Sequence, residues 1–150
     1  MSLNLGIWKA IINLVMLETL LRTRGLTRET MIYQLIYASS MRSGMGEKTV
    51  QKIAVQSRER NLEHGITGML LFSKGIVLQV IEGERFDVEA LQRQILRDTR
   101  HRDVFVVAER ETNKREFEDM PMAYKAINSA KGHKLLKQLT KTAESLSMAG

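Results

Sequence analysis

Two nearly continuous apolar runs in the middle of the chain predict a pair of inner β-strands. Met69–Phe72 and Ile76–Ile81 flank the short polar link Ser73-Lys74-Gly75, which is the pattern of a β-hairpin. Because neither run alternates with polar residues, both strands are expected to be covered on both faces. Gln79 breaks the second run, and a buried carboxamide without a hydrogen-bond partner costs roughly 1–3 kcal/mol. The sequence therefore predicts a partner for Gln79 inside the fold.

Strand-like and helical spacing in the flanking segments predicts the rest of the architecture. Three further segments combine β-branched or aromatic residues with the length of a strand: 31–39, 104–108 and 122–127, with the charged stretch 109–118 interpreted as a connection. Four segments repeat apolar residues at helical spacing: 5–22, 47–63, 84–97 and 131–148. The order of the central elements predicts an α+β fold, a ferredoxin-like βαββαβ(β) sheet with two helices on one face, plus extra N-terminal and C-terminal helices.

Composition restricts the class of protein further. With 150 residues, of which 43% are hydrophobic and 27% charged, the chain suits one soluble globular domain. It contains no cysteine, which excludes disulfides, thiolate metal sites and cysteinyl attachment of a cofactor. The net charge of +6 suits a phosphate-bearing ligand or nucleic acid, although an excess of this size usually belongs to a solvated surface. Lys9, Asn13 and Glu18 interrupt the apolar opening stretch, which favours an amphipathic helix over a membrane span and predicts a cytoplasmic protein.

Polar side chains on otherwise apolar faces are the strongest indication of a site. Ser57 and Asn61 lie on the apolar face of the helix predicted at 47–63, while Tyr37 and Gln79 lie within predicted strands. Each has an ordinary explanation alone, such as a core phenol with a satisfied hydroxyl or a side chain bonded to nearby backbone. Together they are better explained by a flat ligand with a polar edge.

Basic residues that follow the helix predicted at 84–97 offer a further candidate. Arg100–Arg102 come shortly after Arg93 and Arg97, and a solvated turn is the default interpretation. The alternative is a phosphate site at the mouth of the same pocket. No His or carboxylate cluster has metal-ligand spacing, and no Gly-rich phosphate loop or nucleophile elbow is present. Glu82 and Glu84 have no organised partner in the sequence, which argues against a carboxylate-pair hydrolase.

Five short motifs occur in the order and spacing of a known family. They are Leu-Ile-Tyr-Ala-Ser at 35–39, Ser57–Asn61, Gly-Ile-Thr-Gly at 65–68, Leu-Gln-Val-Ile-Glu-Gly at 78–83 and Asp98–His101. Together they resemble the BLUF family, blue-light sensors that use flavin, in its short single-domain form. The match spans about residues 31–127, and it is highly specific because separate motifs agree with a single cofactor.

The resemblance implies a non-covalent FAD between the two helices, perpendicular to the sheet. It implies that Tyr37 is the redox-active tyrosine, that Gln79 is the glutamine whose hydrogen bonds switch, and that Met122 is a photoactive-site methionine. The other implied cofactor-binding residues are Asn61 at the ring edge, Ile53 and Ile95 on the ring faces, and Ser57, Asp98, Arg100 and His101 along the ring and its tail. Blue light makes a flavin a strong oxidant, and Tyr37 can supply an electron and a proton. Their return could leave Gln79 rotated or tautomerised, so that the lit state differs in hydrogen bonds.

The chain departs from the family pattern at two places. Many members carry a Trp-x-Met pair on the last strand, whereas here Met120 stands where the tryptophan would be. Flavin binding and the primary photochemistry remain expected without that indole. Residues 1–30 precede the point at which family chains often begin. We therefore divide the chain into an N-terminal helical extension (1–30), a BLUF-like flavin-binding domain (31–127) and a C-terminal helix (128–150).

The expected function is that of a photosensory module without a catalytic effector of its own. Light would act through an unidentified protein partner or through a change of oligomer, and a homo-oligomer is expected. Neither nucleic acid nor a membrane is an expected partner. The N-terminal extension is expected to pack on the sheet face away from the flavin helices or against a second subunit.

Two other functions are compatible with the same topology. A small acylphosphatase-like hydrolase would use Arg and Asn side chains, yet the loop 41–46 offers only Arg42 and two glycines to cradle an anion. An RNA-binding sheet would need exposed paired aromatic residues for stacking, whereas aromatic residues make up 5% of the chain. A colourless purified protein would favour the hydrolase.

Overall fold

Eight elements follow one another in the part of the chain that the computed structural model describes, which is Lys9 and residues 31–148. The strands are β1 (Ile32–Met41), β2 (Thr67–Ser73), β3 (Ile76–Gly83), β4 (His101–Thr112) and β5 (Ala123–Ala126). The helices are α1 (Glu47–Glu63) between β1 and β2, α2 (Arg85–Arg97) between β3 and β4, and α3 (Ala130–Met148) after β5. The helix predicted at 5–22 and its expected packing lie outside the described residues.

The five strands form one mixed sheet in the order β4-β1-β3-β2-β5. β1 runs antiparallel to both β3 and β4, and β2 runs antiparallel to β3, whereas β5 lies parallel to β2 at the edge. The hairpin between β2 and β3 turns at Lys74 and Gly75, which both have positive φ, as tight hairpin turns require. This is the ferredoxin-like α+β arrangement, so the predicted fold class is confirmed.

The two faces of the sheet are covered by different helices. The alternation of side chains along β1 sends Tyr33, Leu35 and Tyr37 to a face that α1 and α2 cover, and sends Ile36 and Ala38 to the other. Residues from α3 pack on that second face. Both inner strands are consequently buried on both sides, as their continuous apolar runs predicted. Within residues 31–148 no helix combines the length and apolar character that a membrane crossing requires.

β4 is longer than its apolar core predicts. The prediction that residues 109–118 form only a connection is wrong, because pairing with β1 continues through Thr112. β4 is an edge strand, so its outer positions accept charged residues without burying them. Its inner charges also find partners in β1: Glu109 accepts a hydrogen bond from the Tyr33 hydroxyl at 2.6 Å, and Arg110 donates to the Gln34 carboxamide at 2.8 Å.

A buried carboxylate anchors the connection from β4 to β5. Glu82 is fully buried near the end of β3, and each of its two oxygens accepts two hydrogen bonds. The donors are the Gln34 Nε2 and Thr67 Oγ1 groups at 2.9 Å and the backbone N–H groups of Glu116 and Phe117 at 3.0 and 2.7 Å. The view that Glu82 lacks an organised partner is therefore wrong. Its role in the structure is to hold the connection against the sheet.

Glu82→Gln is expected to lower the free energy of unfolding by about 3 kcal/mol, because the amide NH₂ faces two buried donors and leaves them without an acceptor. Urea unfolding followed by far-UV circular dichroism measures the change. Glu59→Gln is the matched control, since Glu59 is an exposed carboxylate on α1. A loss of stability no larger than that of the control would contradict the anchoring role.

Candidate functional site

A cleft opens between α1 and α2 over the middle of the sheet. About 430 Å³ of space, part of it open solvent, lies between its walls. Its lining comes from both helices, from β1 and β3, and from the segment after α2: Tyr37, Ile53, Gln56, Ser57, Arg60, Gln79, Gln94, Ile95, Asp98, Arg100 and His101. Eight of the candidate cofactor-binding residues named from the sequence therefore lie together.

Tyr37 and Gln79 form a buried hydrogen-bonded pair at the floor of the cleft. They are direct partners in the antiparallel β1–β3 register, and both side chains are almost fully buried. The Tyr37 hydroxyl donates a hydrogen bond to Gln79 Oε1. Burial raises the pKa of the Tyr37 phenol well above its ordinary value, against the opposing effect of the Arg60 charge. The phenol therefore stays protonated near neutral pH.

Gln79 also contacts the segment that leads into β5. Its Nε2 donates to the Met122 Sδ atom at 3.7 Å, and the Met122 side chain is fully buried. Met122 lies immediately before β5, and its carbonyl accepts a hydrogen bond from Arg58 Nε at 2.8 Å. Met120, by contrast, has 45% of its surface exposed. The partners that the sequence required for Gln79 are thus Tyr37 on one side and Met122 on the other.

Asn61 is fully buried on α1 although it does not line the cleft itself. Its Nδ2 donates to the Pro121 carbonyl at 2.6 Å, which ties α1 to the segment before β5. Its Oδ1 has no hydrogen-bond partner within the described part of the chain, and the same is true of the neighbouring Arg60 Nε. An unpaired buried polar atom costs roughly 1–3 kcal/mol, so this corner suits a ligand that carries complementary polar groups.

The segment after α2 forms a charged rim. Arg100 Nη2 lies 2.6 Å from Asp98 Oδ2, and Arg100 Nη1 donates to Gln56 Oε1 on α1 at 3.1 Å. The hydrogen bonds from Arg100 lower the pKa of Asp98 below its usual range. His101 is buried, its Nδ1 lies 2.7 Å from Ser39 Oγ, and burial lowers the pKa of its imidazole. At neutral pH the rim therefore carries a closed ion pair beside a neutral imidazole.

Three lining residues were not predicted from the sequence: Gln56, Arg60 and Gln94. The Arg60 Nη1 group donates to Gln94 Oε1 at 2.8 Å, so these two side chains join α1 to α2. The signal that could have found Arg60 is its position three residues after Ser57, on the neighbouring strip of the same helix. Arg93 and Arg97, which precede Arg100 in the sequence, do not line the cleft.

The chemistry of the cleft fits a flavin. Ile53 and Ile95 offer aliphatic surfaces from the two facing helices, which suit the apolar faces of a planar ring. The phenol, the carboxamide and the unpaired atoms of Arg60 and Asn61 supply donors and acceptors for a polar ring edge. Within the described residues, no group of three or more His, Asp or Glu side chains could hold a metal ion.

Comparison of the sequence with known proteins identifies the same class. The family model described as sensors of blue-light using FAD (BLUF) matches residues 32–123. The chain is 31% identical over 74 residues to the blue light- and temperature-regulated antirepressor BluF of Escherichia coli (strain K12). The matched stretch is 49% of this chain and 18% of that protein, so the chain spans only a small part of its relative.

Solved structures give a corresponding result. A bacterial light-regulated adenylyl cyclase matches with a TM-score of 0.69 and 27% identity, covering 78% of this chain and 36% of the cyclase chain. The photo-activated state of BlsA matches with a TM-score of 0.63 and 25% identity, covering 74% of this chain and 81% of BlsA. The fold and the cleft define a flavin-binding sensor domain of the blue-light class. The chain belongs to the BLUF family.

Proposed function

We propose that this protein is a blue-light photoreceptor that binds FAD non-covalently between α1 and α2 and switches by rearranging the hydrogen bonds of Gln79. The observation that carries the proposal is the continuous buried chain of contacts from Tyr37 through Gln79 to Met122 on the floor of the cleft. This chain of contacts connects Tyr37, which can give up an electron and a proton, with the segment that leads into β5.

The cleft residues divide into three groups according to the part of FAD that each would hold. Ile53 and Ile95 would pack on the two ring faces, and Asn61 and Gln79 would bond the ring edge. The residues proposed to line the ring and its tail are Ser57, Asp98, Arg100 and His101. Support for FAD rather than another flavin comes from the family that the chain matches. When bound, the flavin supplies absorption of blue light and a strongly oxidising excited state.

Tyr37 and Gln79 would perform the switch. The Tyr37 phenol would give one electron to the light-excited flavin, and its proton would move along the existing hydrogen bond toward Gln79 Oε1. Return of both to Tyr37 restores the phenol, while the Gln79 carboxamide is left rotated or tautomerised. Because both side chains are buried, water does not compete for these hydrogen bonds. The lit state would then differ from the dark state only in which atoms donate hydrogen bonds and which atoms accept them.

The output would begin at Met122. A rotated or tautomerised Gln79 no longer presents the same Nε2 donor to the Met122 sulfur, and Met122 directly precedes β5. β5 is the edge strand of the sheet and pairs with the inner strand β2. We propose that this edge relays the signal to a protein partner or to a second subunit of a homo-oligomer in the cytoplasm, with neither nucleic acid nor a membrane as its partner. In this proposal residues 31–127 form a photosensory module without catalysis of its own, and residues 1–30 and 128–150 flank it.

The acylphosphatase-like alternative has no observation in its favour. The loop between β1 and α1 contains one arginine, Arg42, whose side chain is exposed. The guanidinium of Arg100 is already paired with Asp98. We therefore retain a single proposed function.

The protein is expected to bind FAD and to show a small, reversible red shift of the flavin absorption under blue light. The full chain should be purified, reconstituted with FAD, and scanned in the dark, after illumination and after dark recovery. Free FAD under the same light is the control, and chromatography of the extracted cofactor separates FAD from FMN and riboflavin. Failure of the reconstituted protein to retain any flavin would overturn the proposed function.

A further inference from the structure

Three consecutive backbone carbonyl groups, those of residues 120–122, lie directly before β5. The pairing of β5 with β2 begins only at the next residue, so each of these carbonyls needs a donor from elsewhere. The first accepts a hydrogen bond from the Gly68 N–H group at 2.8 Å. The second and third accept from side chains of α1, namely Asn61 Nδ2 at 2.6 Å and Arg58 Nε at 2.8 Å. The path of the backbone into β5 therefore depends on these three donors.

Arg58 differs from the other two donors in its exposure to solvent. Gly68 is buried within β2 and Asn61 is fully buried on α1, whereas Arg58 is exposed. Water competes for the guanidinium group of an exposed arginine and weakens its hydrogen bonds. The bond from Arg58 is therefore the one of the three that breaks most readily.

Arg58 holds the same residue that contacts the switching glutamine. The Met122 side chain is fully buried, and its Sδ atom lies 3.7 Å from Gln79 Nε2. A methionine side chain has three rotatable bonds, so its sulfur takes a fixed position only when the backbone and the surroundings hold it. The hydrogen bond from Arg58 fixes the backbone end of this side chain.

We infer that Arg58 is a positioning residue, whose hydrogen bond to the Met122 carbonyl holds the Met122 sulfur against Gln79 and slows the return of the lit state to the dark state. During that return the carboxamide must turn against the sulfur, and a methionine that is held in place cannot move aside. The inference rests on the proposed function and adds to it a residue that does not line the cleft.

A second bond between α1 and β5 offers a matched comparison. The Tyr124 hydroxyl donates to Glu47 Oε1 at 3.2 Å, in the first turn of α1. This bond also joins β5 to α1, but it does not involve Met122. Loss of either bond removes one link between α1 and β5, whereas only loss of the Arg58 bond frees the Met122 carbonyl.

The first test is the rate of dark recovery of the FAD-loaded full chain after blue light, followed by absorption. Arg58→Leu should recover roughly fivefold faster than the wild type, as expected for one lost hydrogen bond. Tyr124→Phe and Lys52→Leu, which removes an exposed positive charge from α1, should stay within about twofold of the wild type. Far-UV circular dichroism should confirm that every variant is folded. Recovery that is unchanged or slower in Arg58→Leu, or equally fast in Tyr124→Phe, would overturn the inference.

A second readout reports the position of Met122 without any photochemistry. The full chain is labelled with methyl-¹³C methionine, loaded with FAD and kept in the dark, and the Met122 methyl signal is assigned by its loss in Met122→Leu. Arg58→Leu should shift and broaden this signal, whereas Tyr124→Phe and Lys52→Leu should leave it unchanged. A Met122 signal of unchanged position and width in Arg58→Leu would show that Arg58 only satisfies a carbonyl group, and the inference would fail. Absence of a red shift in the wild type would instead overturn the proposed function, while the dark methyl signal would still decide whether Arg58 positions Met122.

Discussion

Tyr37→Phe is expected to abolish the light-induced red shift while leaving FAD bound. The substitution removes the phenol that would supply the electron and the proton, and it keeps the ring that fills the floor of the cleft. The Gln79 Oε1 atom also loses its donor, so the free energy of unfolding should fall by about 1–3 kcal/mol. Absorption spectra before and after blue light measure the loss of the red shift, and urea unfolding measures the stability.

Tyr33→Phe is the matched control for this experiment. Tyr33 lies on the same strand and the same sheet face, is also buried, and donates its hydrogen bond to Glu109 instead of Gln79. It does not line the cleft. Tyr33→Phe should therefore keep the red shift in full. A normal photocycle in Tyr37→Phe, or an equal loss in both variants, would remove Tyr37 from its assigned role.

Gln79→Leu is expected to eliminate the red-shifted state as completely as Tyr37→Phe, for a different reason. Leucine fills a similar volume but neither accepts from the Tyr37 hydroxyl nor donates to the Met122 sulfur. No hydrogen bond then remains to be exchanged, even though the phenol can still give up an electron. Quenching of flavin fluorescence under light should persist in this variant, while steady-state absorption should show no shift.

Gln34→Leu controls for the loss of any buried carboxamide in the sheet. Gln34 is also fully buried on β1, but it bonds to Glu82 and Arg110, away from the cleft. This variant should be less stable than the wild type and should still show the red shift. Retention of the red shift in Gln79→Leu would refute the switching role of this residue.

Local periodicity was sufficient to predict most of the architecture. The uninterrupted apolar runs of the hairpin predicted two strands buried on both faces, and β2 and β3 are both central. Helical spacing predicted α1 at Glu47–Glu63, and Gly65 follows it with φ of +61°, a conformation that glycine adopts without strain. These features depend on residues that are close together in the chain, and they can therefore be predicted from the sequence alone.

Pairing between distant segments decided the features that were missed. Residues 109–111 are charged and Thr112 is polar, and only their partners on β1 make these residues a strand. Glu82 has no local partner, and its four donors come from strands and a connection that the fold brings together. Charge along the sequence indicates exposure on average, but it does not reveal a partner that lies far away in the chain.

The features of the candidate site also fall into those that the sequence determined and those that only the tertiary structure decided. The sequence by itself determined that Tyr37, Asn61 and Gln79 are polar groups on buried faces, because strand and helix periods assign each residue to a face. Only the tertiary structure decided their partners: Gln79 lies opposite Tyr37, 42 residues away, and Asn61 bonds to Pro121, 60 residues away. Arg60 was missed because its strip of α1 borders solvent, and only the approach of α2 turns that strip into the wall of a cleft. Strand register and helix packing set these distances, and neither is encoded by the period of a single element.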